Sequence, residues 1–436
     1  MADSSCDLSL FPDSTAINQK GCLTIGDSNL EALAADFNTP LYLYDAATIR
    51  TQIHTIQSAL DAYYPETSAI AYASKAYFSY RFAQKLAREN IELDVVSLAE
   101  LRIALRAGFD PDRIHFHGNN KSMDELQTAI EHDIHAIVVD NMEELLTLEK
   151  MAVQSGKTVR IWLRITPDIR VDTHPHIETS AATSKFGFHI VTGDAEQAMR
   201  YGLNSAAFNL TGIHCHLGSQ LFDPIPYQAA IEKILELALR CNYTPLEISP
   251  GGGWGVRYTE TGQENEAARW VRPVSDTIVR ICHQHGLRLP KLILEPGRWL
   301  VARAGVSIYR IGFQKQNLDG EKLLAVDGGI ADNPRHALYQ SDYTAKIVQN
   351  PAGAADHSYK IVGKFCETGD VLIEKTALPE AQTGDLLIVP VSGAYQLSMA
   401  SNYNLAPRPA VLWLEKDGQF EMLQPREEPD ISSWWI

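Results

Sequence analysis

The chain has 436 residues, 45% of them hydrophobic and 21% charged, and carries a formal net charge of −16. That length and composition leave room for two hydrophobic cores and exclude a disordered or fibrous chain. The acidic balance argues against nucleic acid or an anionic membrane surface as the main partner, because both demand a positive footprint.

The opening residues, "MADSSCDLSLFPD", are acidic and polar, without the basic-then-apolar pattern of a signal peptide. Next, "GCLTIGDSNLEALAADFNTPLYLYD" (21–45) holds a strand and a short helix ahead of the main body. From about 69 to 298, short β-branched runs alternate with helical patterns. The strands read as "AIAYASKA", "ELDVVS", "RIHFHGNN", "HAIVVDN", "VRIWLRI", "LTGIHCHLGS", "LEISPGGG" and "KLILEPGR". Between them, segments such as "AELRIALRAG" and "NMEELLTLEKMAVQSG" place apolar residues at three- and four-residue steps, the helical period. Such alternation predicts a parallel sheet, and eight strands close a (β/α)8, TIM-type α/β barrel. Lys75, Ser97, Asn119, Asn141, Arg164, His216, the glycines 251–253 and Arg298 stand at the C-terminal ends of these strands. Barrels of this kind build their active sites there, although each residue alone also reads as an ordinary polar loop opening.

After Arg298 the pattern changes. "GVSIYRIGF", "KLLAVDGG", "HSYKIVGK", "DVLIEKTAL", "GDLLIVP" and "AVLWLEKDGQFEML" are strands with little helix between them, and Asp417-Gly418 marks a hairpin tip in the last. The expected organisation is a barrel over 47–300 and a C-terminal all-β domain, 301–436, completed by the N-terminal segment 1–46. A charge-free run at 386–407 is rich in Ser, Asn, Gln and Tyr and does not read as a membrane span. Six scattered cysteines, Cys6, Cys22, Cys215, Cys241, Cys282 and Cys366, form no CxxC pair and no metal-ligand spacing. Free thiols in a reducing cytoplasm, with no metal, are the expectation.

Lys75, at the end of the strand in "AIAYASKAYF", poses the chemical question. Its simplest explanation is a lysine that has reached water. Otherwise, an amine at a barrel mouth can form a Schiff base, with a carbonyl substrate or with pyridoxal 5′-phosphate. "EISPGGGWGV" favours the second: Gly251, Gly252 and Gly253 expose backbone N–H groups where such barrels commonly bind phosphate.

Several motifs now combine: "YASKAY", "HCHLGSQ" (214–220), "SPGGGWG" (249–255), "EPGR" (295–298), "DGGIADNPRHALY" (327–339), "CETGD" (366–370) and "GAYQLSMASNYN" (393–404). In this order, over roughly 22–410, they resemble the fold-type III pyridoxal-phosphate enzymes, and the diaminopimelate decarboxylases best. The stretch "DTHPHIETSAATSKFGF" (172–188) is similar to that branch too.

The resemblance implies that Lys75 carries the cofactor, at a desolvated position that lowers its pKa. Glu295 would face the pyridine nitrogen and His216 would stack on the ring. Ser219, Gly251–Gly253, the backbone of Glu295, Pro296, Gly297 and Arg298, and Tyr395 would hold the phosphate and ring. For the substrate, Arg298, Arg335 and Tyr339 would bind carboxylate, Tyr395 would contribute, and a desolvated Glu367 would take the distal ammonium. Cys366 would return a proton after carbon dioxide leaves. The implied reaction turns meso-2,6-diaminopimelate into L-lysine, the last step of bacterial lysine biosynthesis, in a cytoplasmic homodimer with shared active sites. Two departures stand out: Thr368 where serine is commonest, and His336 where proline is frequent. The rival readings are a sister decarboxylase acting on ornithine, carboxynorspermidine or a siderophore precursor, and a catalytically silent cofactor-binding relative.

Overall fold

The computed structural model describes residues 6–169 and 184–428. Most of "DTHPHIETSAATSKFGF" therefore lies outside the described residues. The chain divides into two compact units. One holds 53–255 and 265–299; the other holds the described residues up to 52, the stretch 256–264, and those from 300 onward.

The first unit is the barrel. Its strands are Ser68–Ala73, Glu92–Val95, Ile114–Phe116, Ala136–Val139, Val159–Thr166, Phe208–His214, Glu247–Gly251 and Lys291–Leu294. Each runs parallel to the next, and Lys291–Leu294 pairs back onto Ser68–Ala73, closing the ring. Helices occupy the connections because the sequence supplies both a start signal and a buried stripe. Ser79, Ser97, Ser122 and Asn141 each accept a hydrogen bond from a backbone N–H of the first helical turn that follows. Ser122 completes a capping box with Glu125. The helix Ile225–Arg240 buries Tyr227, Ala230, Ile231, Ile234 and Leu235 at the helical period.

Successive strand residues face opposite sides, so the register assigns the interior. Ala71 pairs with Glu92, Asp94 with His115, Arg164 with His214, and His214 with Ser249. A small apolar cluster of Ala71, Ala136, Val138, Trp162 and Ile293 forms part of the packing. Gly212 leaves room for the Trp162 indole, which a Cβ at that position would strike. Glu92, Asp94, His115, Arg164, His214, Glu247 and Ser249 add buried polar side chains on these strands.

The second unit is a mostly antiparallel sheet ordered Val371–Leu378, His357–Val362, Lys322–Val326, Gly305–Gln316, Leu41–Asp45, Ala410–Leu414, Phe420–Gln424. The N-terminal strand Leu41–Asp45 sits inside it, antiparallel to Gly305–Gln316 and parallel to Ala410–Leu414. Asp417 and Gly418 lie in the turn between the last two strands, with Gly418 at a φ of 77°. Among the described residues no helix is long and apolar enough to cross a membrane. All six cysteines are free, and only Cys366 is exposed.

Candidate active site

The C-terminal end of the barrel is assembled from loops that the sequence forces close together. Lys75 lies in a one-turn 3-10 helix, Ser74–Ala76, directly after the first strand. Beside it runs "EPGR": the Ala73 N–H donates to the Pro296 carbonyl at 3.4 Å. A Cβ on Gly297 would crowd Ala73 and Ala76, at 3.1 and 3.2 Å from their Cβ atoms. On the other side the glycine turn abuts both neighbours. A Cβ on Gly252 would collide with the Glu295 carbonyl oxygen, and one on Gly253 with the Gly218 carbonyl oxygen. One on Gly251 would meet the Cys215 carbonyl oxygen and His216 Nδ1. Gly251 and Gly253 also adopt positive φ, 79° and 98°. The loops after the sixth, seventh and eighth strands thus meet in one crook.

An anion would find donors there. The buried Arg298 guanidinium donates to Ser219 Oγ at 3.0 Å. Arg298, Ser219 and the backbone N–H groups of a side-chain-free turn are the donor set that a phosphate requires. Glu295 is only 5% exposed. Its two oxygens meet His214 Nε2 at 3.0 Å and Ser249 Oγ at 2.7 Å. Burial alone would push this carboxyl up, but His214, His117 and Ser249 hold it well below the usual carboxylate range. Burial drives His214 and His117 below their ordinary values. His216, half-buried, is likewise driven far down by burial and by the nearby Lys75 and Arg164, so it presents a flat neutral ring. A buried carboxylate, a neutral flat ring, a lysine amine and an anion cradle together fit pyridoxal 5′-phosphate.

Two expectations fail here. Lys75 is exposed rather than desolvated, because the turn that carries it stands at the open end of the strand. Ser97 and Asn141, which seemed to point at the site, spend their side chains on helix caps.

The second unit carries the remaining candidates. Arg335 is buried in the five-residue helix Arg335–Tyr339. Its Nε donates to the Tyr343 hydroxyl at 3.0 Å, and its guanidinium lies over the rings of Tyr258, Tyr339 and Tyr395 at 5.5–5.9 Å. Three aromatic faces around one guanidinium hold it by cation–π attraction. Tyr258 and Tyr343 escaped the sequence reading; only their lone aromatic character in polar loops hinted at them. His336 ties the loop, with Nδ1 3.1 Å from the Ser341 carbonyl. Tyr395 takes a positive φ of 60°.

Cys366 and Glu367 project on an exposed loop. Glu367, expected to be desolvated, faces solvent because the loop leaves the sheet between His357–Val362 and Val371–Leu378. It is nonetheless anchored. Buried Asp370 accepts from the backbone N–H groups of Phe365 at 2.7 Å and Ile330 at 2.6 Å. Asn404 Oδ1 accepts from the Cys366 N–H at 3.3 Å.

A family model for the pyridoxal-binding domain of pyridoxal-dependent decarboxylases matches residues 46–302. The chain is 40% identical over 430 residues to the diaminopimelate decarboxylase of Bacillus methanolicus, covering 98% of this chain and 99% of that one. It is 42% identical over 414 residues to that of Bacillus subtilis, covering 94% of each. Among solved structures, the diaminopimelate decarboxylase of M. jannaschii in complex with L-lysine is similar, with a TM-score of 0.88 and 29% identity, covering 95% of this chain and 96% of that one. The arrangement of lysine, glycine turn and buried glutamate, together with these near-full-length matches, places the chain in the diaminopimelate decarboxylase family of pyridoxal-dependent decarboxylases.

Proposed function

We propose that the chain removes one carboxylate from meso-2,6-diaminopimelate, giving L-lysine and carbon dioxide. The cofactor is pyridoxal 5′-phosphate. When bound, it supplies an electron sink for the pair left on the α-carbon. The chain's residues do the rest. Lys75 would hold the cofactor covalently through its amine. Glu295 would face the ring nitrogen and favour its protonated form, and the His216 ring would support the ring face. Ser219, Gly251–Gly253 and Arg298 take the phosphate, with the 295–298 backbone and Tyr395. Arg298, Arg335, Tyr339 and Tyr395 are assigned to the substrate, where a guanidinium fork suits a carboxylate. Glu367 receives the distal ammonium, and the Cys366 thiol returns a proton to the α-carbon.

The observation that carries this reading is a buried, anionic Glu295 at the same barrel end as the Lys75 amine. An acidic partner favours the protonated ring, which withdraws electrons most strongly, as loss of carbon dioxide requires. The solved relative from M. jannaschii holds L-lysine, the product named here.

A two-fold dimer is part of the proposal. The anchored but exposed loop bearing Cys366 and Glu367 suits delivery to the partner's site, and a cytoplasmic location fits the free thiols. The test of function is a coupled lysine-formation assay with meso-diaminopimelate. Lysine and carbon dioxide in equal amounts are expected; turnover of ornithine or lysine, with none of diaminopimelate, overturns the reading.

A further inference from the structure

Four groups the reaction does not use are buried around Glu295. His214, inside the barrel on the sixth strand, is 1% exposed, and its Nε2 lies 3.0 Å from Glu295 Oε2. His117, just past the third strand, is 4% exposed, with its Nε2 3.7 Å from Glu295 Oε1 and 3.7 Å from Asp94 Oδ1. The two imidazoles pack edge to face, with centroids 4.7 Å apart and planes at 73°. Ser249 takes the remaining direction, donating to Oε1 at 2.7 Å. Arg164, a buried cation on the fifth strand, has its Nε 3.9 Å from Asp140 Oδ1 and its guanidinium over the Phe186 ring.

We propose that His214 and His117 are positioning residues, a two-imidazole brace that fixes the Glu295 carboxylate in place as the anion facing the cofactor's ring nitrogen. This rests on the reading of Glu295 given above. The geometry explains the division of labour. A carboxylate oxygen has two acceptor directions, so an N–H from His214 and an O–H from Ser249 leave capacity on both oxygens for a further donor. Donors fixed on the barrel strands, His214 Nε2 and Ser249 Oγ, hold the carboxylate in one orientation, whereas a guanidinium at hydrogen-bond distance would compete with the ring nitrogen for it. His117 separates Glu295 from Asp94, the other buried carboxyl at this level. Burial and the Glu295 charge push Asp94 up, so of the two acids Asp94 is the one that keeps a proton.

The test uses the holoenzyme variants His214→Ala, His214→Gln, His117→Ala, Glu295→Gln and the double variant Glu295→Gln/His214→Ala. Readouts are kcat, KM, cofactor dissociation, and the pH titration of the bound cofactor's absorption band. For His214→Ala we expect kcat to fall at least tenfold with KM within about threefold. The cofactor's spectral pKa should move by about one unit, and His214→Gln, which keeps an N–H donor, should recover part of both. His117→Ala should shift the same spectral pKa in the same direction. The double variant should be no slower than Glu295→Gln alone, since the brace acts only through that carboxylate. If Glu295→Gln leaves kcat and spectrum unchanged, the role given to Glu295 itself is wrong. If Glu295→Gln is crippled while both histidine variants keep the native spectral titration and kcat, the brace is overturned. Should His214→Ala fail to fold, His214→Gln and His117→Ala decide by the same criteria.

Discussion

A methyl group on Gly252 would run into the Glu295 carbonyl oxygen, and one on Gly253 into that of Gly218. Because both obstacles are backbone, neither can swing aside. We expect Gly252→Ala to cost about 1–3 kcal/mol in a urea melt, the usual penalty for overpacking. It should also weaken cofactor binding at least tenfold by fluorescence titration; native affinity would mean the turn does not shape the cradle. These glycines, Lys75 and Glu295 were legible because each belongs to a short motif at a strand end. Ser97 and Asn141 were misleading for the same reason. In this fold every strand end opens a helix, and a cap and a ligand use the same side chains. His117 and His214 could have been found, because "HFH" and "HCH" put two histidines on one face of a strand. Their shared partner, however, lies far along the chain at Glu295.

Strands carry a second polar tier that no motif announced. Near the N-terminal ends of the barrel strands, Glu92 meets His115 at 3.0 Å and Lys291 at 2.5 Å, while Glu247 meets His135 and the Trp162 N–H, both at 2.8 Å. Burial works against the Glu92 charge, but His115 and Lys291 outweigh it and bring the carboxyl down to about 2. A carboxyl depressed in the fold contributes stability that is complete above its unfolded value near 4.5 and is lost as pH falls toward 2. We expect Glu92→Gln to lose on the order of 3 kcal/mol at pH 7 and to show a flatter loss between pH 4.5 and 2. Parallel pH dependence in both proteins, from denaturant midpoints, would remove Glu92 from the acid transition. The sequence reading found all eight strands and missed this tier. Polar residues inside a strand look like its solvent face until closure turns that face inward, and the partners come from strands remote in sequence.

At the scale of the molecule, the reading of a barrel plus a sheet domain survives because hydrophobic period and turn residues agree along long stretches. The proposed dimer raises the question of which copy uses the Cys366 loop. Mixing Lys75→Ala with Cys366→Ala before refolding or subunit exchange answers that. Shared sites predict that two inactive proteins regain about a quarter of wild-type activity, because half the dimers are mixed and each has one intact site. Sites built from one chain alone predict no recovery. The Lys75 amine is the group proposed to hold the cofactor. Borohydride reduction of the holoenzyme, followed by peptide mass spectrometry, tests this most directly. The cofactor's mass should appear on the peptide containing Lys75; its appearance on another lysine, or on none, would contradict the account.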